Sequence, residues 1–232
     1  IRDGWCDWSS DVCSSDLMLT VISAGMTSEE IILNGISKAT DPSSGGRHMS
    51  NHFAKADLNI HNTSSCTGNH TQHAAGLGRA FKKYNHPGVV ISSQGESSVS
   101  EGYVYEAING ASNEKLPVIF VFQDNGYGIS VPKEDQTANR KVANNFSGFK
   151  NLKIFHCNGK DVFDSMNTMF EAKEWVVKNQ MPAIVHANCV RIHSHSNSDR
   201  HELYRAKGEL EYVLNADPLA KFRSMLIRYN RF

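Results

Sequence analysis

Residues 88–130 read GVVISSQGESSVSEGYVYEAINGASNEKLPVIFVFQDNGYGIS. Two apolar runs, Val89-Val90-Ile91-Ser92 and Val118-Ile119-Phe120-Val121-Phe122, flank residues 101–113, whose apolar positions recur with helical spacing. Short, continuous apolar runs suit strands buried on both faces, as in a parallel sheet with helical crossovers. Pro117 separates the helix from the second run, as a residue that cannot continue a helix should. The stretch therefore predicts strand, crossover helix and parallel strand.

The same alternation continues downstream. Lys153-Ile154-Phe155-His156-Cys157 predicts a strand, residues 162–178 a long helix, and residues 183–187 another strand after Pro182. Upstream, residues 72–84 are Ala- and Gly-rich and helical, with Gly76 and Gly78 suited to close packing against a neighbour. The expected fold is α/β, a three-layer parallel sheet with helices on both faces. In such sheets ligands collect beyond the carboxyl ends of the strands. The loops after Ser92, Phe122 and Cys189 should then face one crevice. No internal repeat interrupts this pattern.

Bulk composition narrows the classes. The chain has 232 residues, enough for one substantial domain, here taken as residues 18–232. Lys plus Arg and Asp plus Glu both number 24, so no global field favours nucleic acid or an anionic membrane surface. No apolar run reaches membrane-spanning length. The five cysteines lack zinc-site pairing or the density of a secreted disulfide scaffold, and the expected compartment is a reducing cytoplasm. Residues 1–17, IRDGWCDWSSDVCSSDL, show no apolar period and no signal-peptide pattern. They are expected to be a non-native or disordered leader outside the fold. Residues 217–232 carry Leu219, Phe222, Leu226 and Tyr229 at helical steps without a terminating breaker. The chain is therefore expected to be a fragment, incomplete at both ends.

Chemistry concentrates in two loops, Gly95-Glu96-Ser97-Ser98 and Asp124-Asn125-Gly126-Tyr127, with Glu96 and Asn125 29 positions apart. One helix and one strand fill that gap, which brings a carboxylate and a carboxamide to neighbouring strand ends. Both offer oxygen to a hard cation, and magnesium needs few protein ligands because it keeps waters and bridges phosphates. Tyr127 can add a backbone carbonyl. Ser97 and Ser98 precede a helix whose free amides suit a phosphate oxygen. By spacing alone, the pair equally fits a helix-capping carboxylate and a turn asparagine. The irregular spacing of His48, His52, His70, His73 and His193 argues against zinc.

The stretch from Gly95 to Ser130 resembles the thiamine-diphosphate motif of 2-oxo acid dehydrogenase alpha subunits, of branched-chain or pyruvate type. That motif begins Gly-Asp-Gly and ends Asn-Asn. Here Glu96 replaces its Asp, Ser97 its second Gly and Asp124 its first Asn, while Asn125 is intact. Branched-chain members also carry Glu at the first of these positions. Gly45-Gly46-Arg47-His48-Met49-Ser50-Asn51-His52-Phe53 is similar to the family's glycine-rich loop, and Ser64-Ser65-Cys66-Thr67-Gly68 to its next cofactor loop. Arg191-Ile192-His193-Ser194-His195-Ser196-Asn197-Ser198-Asp199 is similar to its flexible active-site loop.

The resemblance implies oxidative decarboxylation of a 2-oxo acid, most simply a branched-chain one, with acyl transfer to a lipoyl group. Pyruvate or acetoin are the near alternatives, and a non-catalytic interaction domain of the same fold is the distant one. It implies thiamine diphosphate and magnesium as cofactors. Glu96, Asn125 and Tyr127 would hold the metal. Ser64, Ser65, Thr67, Glu96, Ser97, Ser98, Gln123, Asn125, Tyr127 and His195 would line the cofactor, with His195 catalytic. Gln123 stands where branched-chain members often have arginine, so it offers a hydrogen bond without charge. The implied partners are a beta subunit, or a fused beta portion supplying the activating glutamate, and a lipoyl acyltransferase. Potassium binding near Ser64 and phosphorylation of Ser196 stay undecided.

Overall fold

A computed structural model describes residues 10–12, 17–62, 66–229 and 231. Along the chain run β1 (Ser10–Val12), α1 (Leu17–Ala24), α2 (Ser28–Gly35), α3 (His70–Lys83), β2 (Val90–Gly95), α4 (Gly102–Glu114) and β3 (Val118–Asp124). A small hairpin, β4 (Tyr127–Gly128) and β5 (Val131–Pro132), leads through α5 (Lys133–Gln136) to β6 (Lys153–Cys157), α6 (Val162–Asn179) and β7 (Ala183–Asn188). Two helices follow, α7 (Lys207–Asn215) and α8 (Pro218–Arg228).

The main sheet has the order β1-β2-β3-β7-β6, and every neighbouring pair is parallel. The strands and helices expected from the apolar runs are all present. β2 continues past the expected run through Ser93 and Gln94, which are buried although polar. Expected to lie outside the fold, residues 10–12 instead pair with β2 at Ser10↔Ile91 and Val12↔Ser93. The free edge of β2 presents a ready row of backbone donors and acceptors, and such an edge recruits chain by backbone pairing, with little demand on side chains.

Helices cover both faces. On one, α3 and α4 pack Ala74, Val104, Ile108 and Ala111 against Val90, Val118, Phe120 and Ile184. On the other, α6 packs Ala172 and Val176 against Ile91, Ile119 and Val185. Each such large apolar side chain, removed from water, contributes roughly 1.5–3 kcal/mol. Gly78 lets α3 approach the sheet, since a Cβ there would stand 2.5 Å from Val118 Cγ2. Gly76, expected to pack similarly, faces open space, because the two positions differ by about 200° around the helix.

A smaller core of Val21, Met26, Ile31, Phe53 and Ile60 gathers the N-terminal helices and the following loops. Thr27 and Glu30 close a reciprocal capping box on α2. Buried Asp41 ties residues 43–46 by accepting from the backbone N–H groups of Ser43, Ser44 and Gly46. α8 begins as expected, with Asp217 Oδ1 accepting from Leu219 N and Pro218 in its first turn. It ends at Arg228, and Leu219 and Tyr229 of its apolar stripe are exposed. Among the described residues no helix is long and apolar enough to cross a membrane.

Candidate metal and cofactor site

β2 and β3 are neighbours, in register at Gly95↔Gln123, so the residues just beyond them must meet. Glu96 is 2% exposed, and its Oε2 accepts the backbone N–H of Asn125 at 3.0 Å. The other carboxylate oxygen, Oε1, has no protein partner, and neither have Asn125 Oδ1 and Ser97 Oγ. An unpaired buried acceptor costs about 1–3 kcal/mol. Three such atoms lie at one pair of strand tips, and an oxygen-only set has the chemistry that suits a hard cation. These residues fit magnesium.

Burial pushes the Glu96 carboxyl up to about 7, helped by nearby Asp124 and opposed by the Asn125 N–H and Lys133. Gly128 runs against Ser97 so closely that a Cβ would overlap Ser97 Oγ. Gln136 Nε2 donates to the Ser97 carbonyl at 3.0 Å. Ser98 opens a single 3-10 turn, Ser98–Ser100, that passes into α4. Gly68 (φ +78°) brings the loop before α3 against the same turn, since a Cβ there would lie 3.2 Å from the Ser98 carbonyl. Thr67, exposed beside Gly68, is thus near the start of α4. Ser64 and Ser65 lie outside the described residues.

The third loop joins as expected, because β7 pairs with β3 and Cys189 N–H donates to the Asp124 carbonyl at 2.7 Å. Tyr127 links it further. The Arg191 and Arg205 guanidinium carbons lie 5.7 and 5.1 Å from the centre of the Tyr127 ring, and its hydroxyl donates to Glu209 at 2.9 Å. Arg191 also donates to the Tyr204 hydroxyl at 2.6 Å, which donates to Asp199 Oδ2 at 2.7 Å. His195 N–H donates to that same oxygen at 2.7 Å. The His195 imidazole itself is exposed.

Asp124, read from sequence only as a departure from the motif, is a buried ion-pair centre. Lys133 Nζ donates to both its oxygens at 2.8 and 2.7 Å, and His186 Nε2 is 2.8 Å from Oδ2. These partners, outweighing burial, hold its carboxyl below the usual range. Neither Lys133 nor His186 stood out in the sequence, and the buried histidine in an otherwise apolar strand was the available signal. Elsewhere, a cleft of about 580 Å3 between α3 and residues 42–62 has mainly apolar walls, Ile60, Leu77 and Phe81 among them. It contains none of the residues above, so volume does not mark the chemistry here.

Residues 16–231 match the family described as "Dehydrogenase E1 component". The chain belongs to that family. It is 31% identical over 209 residues to the 2-oxoisovalerate dehydrogenase subunit alpha of Bacillus subtilis (strain 168), covering 90% of this chain and 63% of the relative. The mitochondrial 2-oxoisovalerate dehydrogenase subunit alpha of Homo sapiens is 32% identical over 183 residues, 78% of this chain and 41% of the relative. The mitochondrial pyruvate dehydrogenase E1 component subunit alpha of Dictyostelium discoideum is 31% identical over 210 residues, 89% and 54%. This dehydrogenase E1 chain therefore spans less than two thirds of the length of each of these relatives. Its fold is similar to an X-ray structure from Mycobacterium smegmatis described as a candidate thiamin diphosphate-dependent enzyme. The TM-score is 0.52 with 14% identity, over 82% of this chain and 30% of the other.

Proposed function

We propose that this chain is the magnesium- and diphosphate-binding part of a thiamine-diphosphate enzyme that oxidatively decarboxylates a 2-oxo acid. The observation that carries this reading is the set of unpartnered buried oxygens, Glu96 Oε1, Asn125 Oδ1 and Ser97 Oγ. Magnesium would be held by the first two and the Tyr127 carbonyl, in keeping with its preference for a few protein oxygens. Backbone amides at Ser97 and Ser98, where the chain enters α4, would receive diphosphate oxygens. Ser64, Ser65, Thr67 and Gln123 would complete the cofactor contacts. When bound, thiamine diphosphate supplies the carbon nucleophile and electron sink for decarboxylation.

His195 would hold a proton near the reacting carbonyl and deliver it as a general acid or hydrogen-bond donor. In support, its loop is held by the Arg191–Tyr204–Asp199 hydrogen bonds, with Arg191 over the Tyr127 ring. Branched-chain 2-oxo acids are the favoured substrates, supported by the 2-oxoisovalerate dehydrogenase relatives and by Glu96. The pyruvate dehydrogenase relative at similar identity supports pyruvate as the second reading. The acyl product would pass to a lipoyl group on an acyltransferase, and a beta subunit or fused beta portion would complete the site. The five cysteines, which lack the density of a secreted disulfide scaffold, support a reducing cytoplasm.

Calorimetric titration of thiamine diphosphate with magnesium into the complete enzyme tests the proposal. Glu96→Ala and Asn125→Ala should each abolish magnesium-dependent binding. Undiminished affinity in both variants rejects the metal assignment, and comparing turnover of 3-methyl-2-oxobutanoate and pyruvate separates the two substrate readings.

A further inference from the structure

Asn125 is bracketed by one residue. Lys133 reaches Asp124, on its amino side, through the side chain, with Nζ at 2.8 and 2.7 Å from the two carboxylate oxygens. It reaches Gly126, on its carboxyl side, through the backbone, with N–H donating to that carbonyl at 2.9 Å. The β4–β5 hairpin, pairing Tyr127 with Pro132 and Gly128 with Val131, returns the chain so that both contacts are made at once. Between them, Asn125 N–H points to Glu96 and Gly126 takes φ +87°.

The charge at Asp124 makes this arrangement consequential. The related motif has an uncharged Asn at that position. Here a carboxylate only 2% exposed sits one residue from the proposed metal ligand Asn125. Unpaired, it would be a competing ligand on a mobile turn, because a hard cation prefers an anionic oxygen to a carboxamide. Lys133 occupies both its oxygens, and His186 Nε2, 2.8 Å from Oδ2, approaches it from β7.

We infer that Lys133 is a positioning residue for Asn125: by neutralising Asp124 and pinning the turn, it keeps the carboxamide, and not the neighbouring carboxylate, presented beside Glu96. The inference rests on the metal site proposed above. Lys133 touches neither the cation nor the reacting atoms in this scheme, and acts through Asp124.

The experiment is titration of magnesium into the complete enzyme at saturating thiamine diphosphate, read as affinity and not as turnover. Lys133→Met should weaken magnesium at least about tenfold, the usual scale for losing a residue that orients a ligand. Asp124→Asn combined with Lys133→Met should recover affinity to within about threefold of the parent, because removing the carboxylate removes the need for its counter-charge. Lys133→Arg, which keeps the charge, should also stay close to the parent. Thermal melts without ligand confirm that the variants are folded. Unchanged or raised affinity in Lys133→Met overturns the inference, as does a double variant no better than the single. If Glu96→Ala and Asn125→Ala bind like the parent, the metal-site reading itself fails. If those two lose binding while Lys133→Met does not, only the role of Lys133 falls.

Discussion

Asn125 gives its backbone N–H to Glu96 Oε2 at 3.0 Å, and each of the two side chains keeps an oxygen without a partner. One contact thus fixes the distance between the two loops while leaving their side-chain acceptors free. Burial raises the Glu96 carboxyl to about 7, so a proton and a cation compete for it. Below that pH magnesium must displace the proton, and its affinity should fall by about tenfold per unit. Above it, affinity should level off. Glu96→Gln should bind magnesium weakly at every pH, without the slope. A parent affinity that is flat between pH 5.5 and 7 would sink this account.

The same burial shapes stability of the metal-free protein. Glu96 rises from 4.5 to about 7 on folding, so its favourable share is complete below 4.5 and lost as pH climbs to 7. His70, fully buried with Nε2 3.1 Å from the Ser93 carbonyl, is depressed by burial from 6.5 to about 4. Its share is complete above 6.5 and lost as pH falls to 4. Each amounts to about 3 kcal/mol by linkage, and between 4.5 and 6.5 their slopes oppose. Urea melts of metal-free Glu96→Gln should therefore show stability rising with pH across that window, where the parent is nearly flat. Parallel profiles for parent and variant would contradict the Glu96 assignment, and a variant whose stability is flat across the window would contradict that of His70.

Much of this was legible in advance because parallel strands are written as apolar runs. The runs at 89–92 and 118–122 announced both strands and the parallel pairing that puts Glu96 beside Asn125. Polar burial was not legible. Ser93 and Gln94 extend β2 although their composition reads as loop. Asp124 looked like an eroded motif position, since its value depends on Lys133, nine residues on, and His186, sixty-two residues on. Periodicity reports which face is buried, whereas long-range ion pairs depend on which strands become neighbours.

Arg205 offers a test of how the third loop is held. It is 5% exposed, donates to the Arg191 carbonyl at 2.8 Å and to Glu209 at 3.0 Å, and lies over the Tyr127 ring. A lysine keeps the charge but loses the planar fork and the stacking. Arg205→Lys should make amides of residues 191–205 exchange about tenfold faster, while β3 and β7 keep their protection. Exchange unchanged in that loop would show that Tyr127 and its arginines do not order it.

Two glycines on α3 separate packing from propensity. Gly78 lies against the sheet, where an added Cβ would sit 2.5 Å from Val118 Cγ2 and 3.3 Å from Leu116 Cβ. Both neighbours belong to the buried core, so they cannot yield without shifting β3. Gly78→Ala should cost about 1–3 kcal/mol, the usual scale of overpacking. Gly76 faces open space on the same helix, and alanine there should stabilise by roughly 0.5–1 kcal/mol through reduced backbone freedom in the unfolded chain. Chemical denaturation of both variants checks the pair. Equal effects would mean that helix propensity, and not the approach of α3 to Val118, sets the requirement for glycine, and the close packing of α3 on the sheet would have to be abandoned.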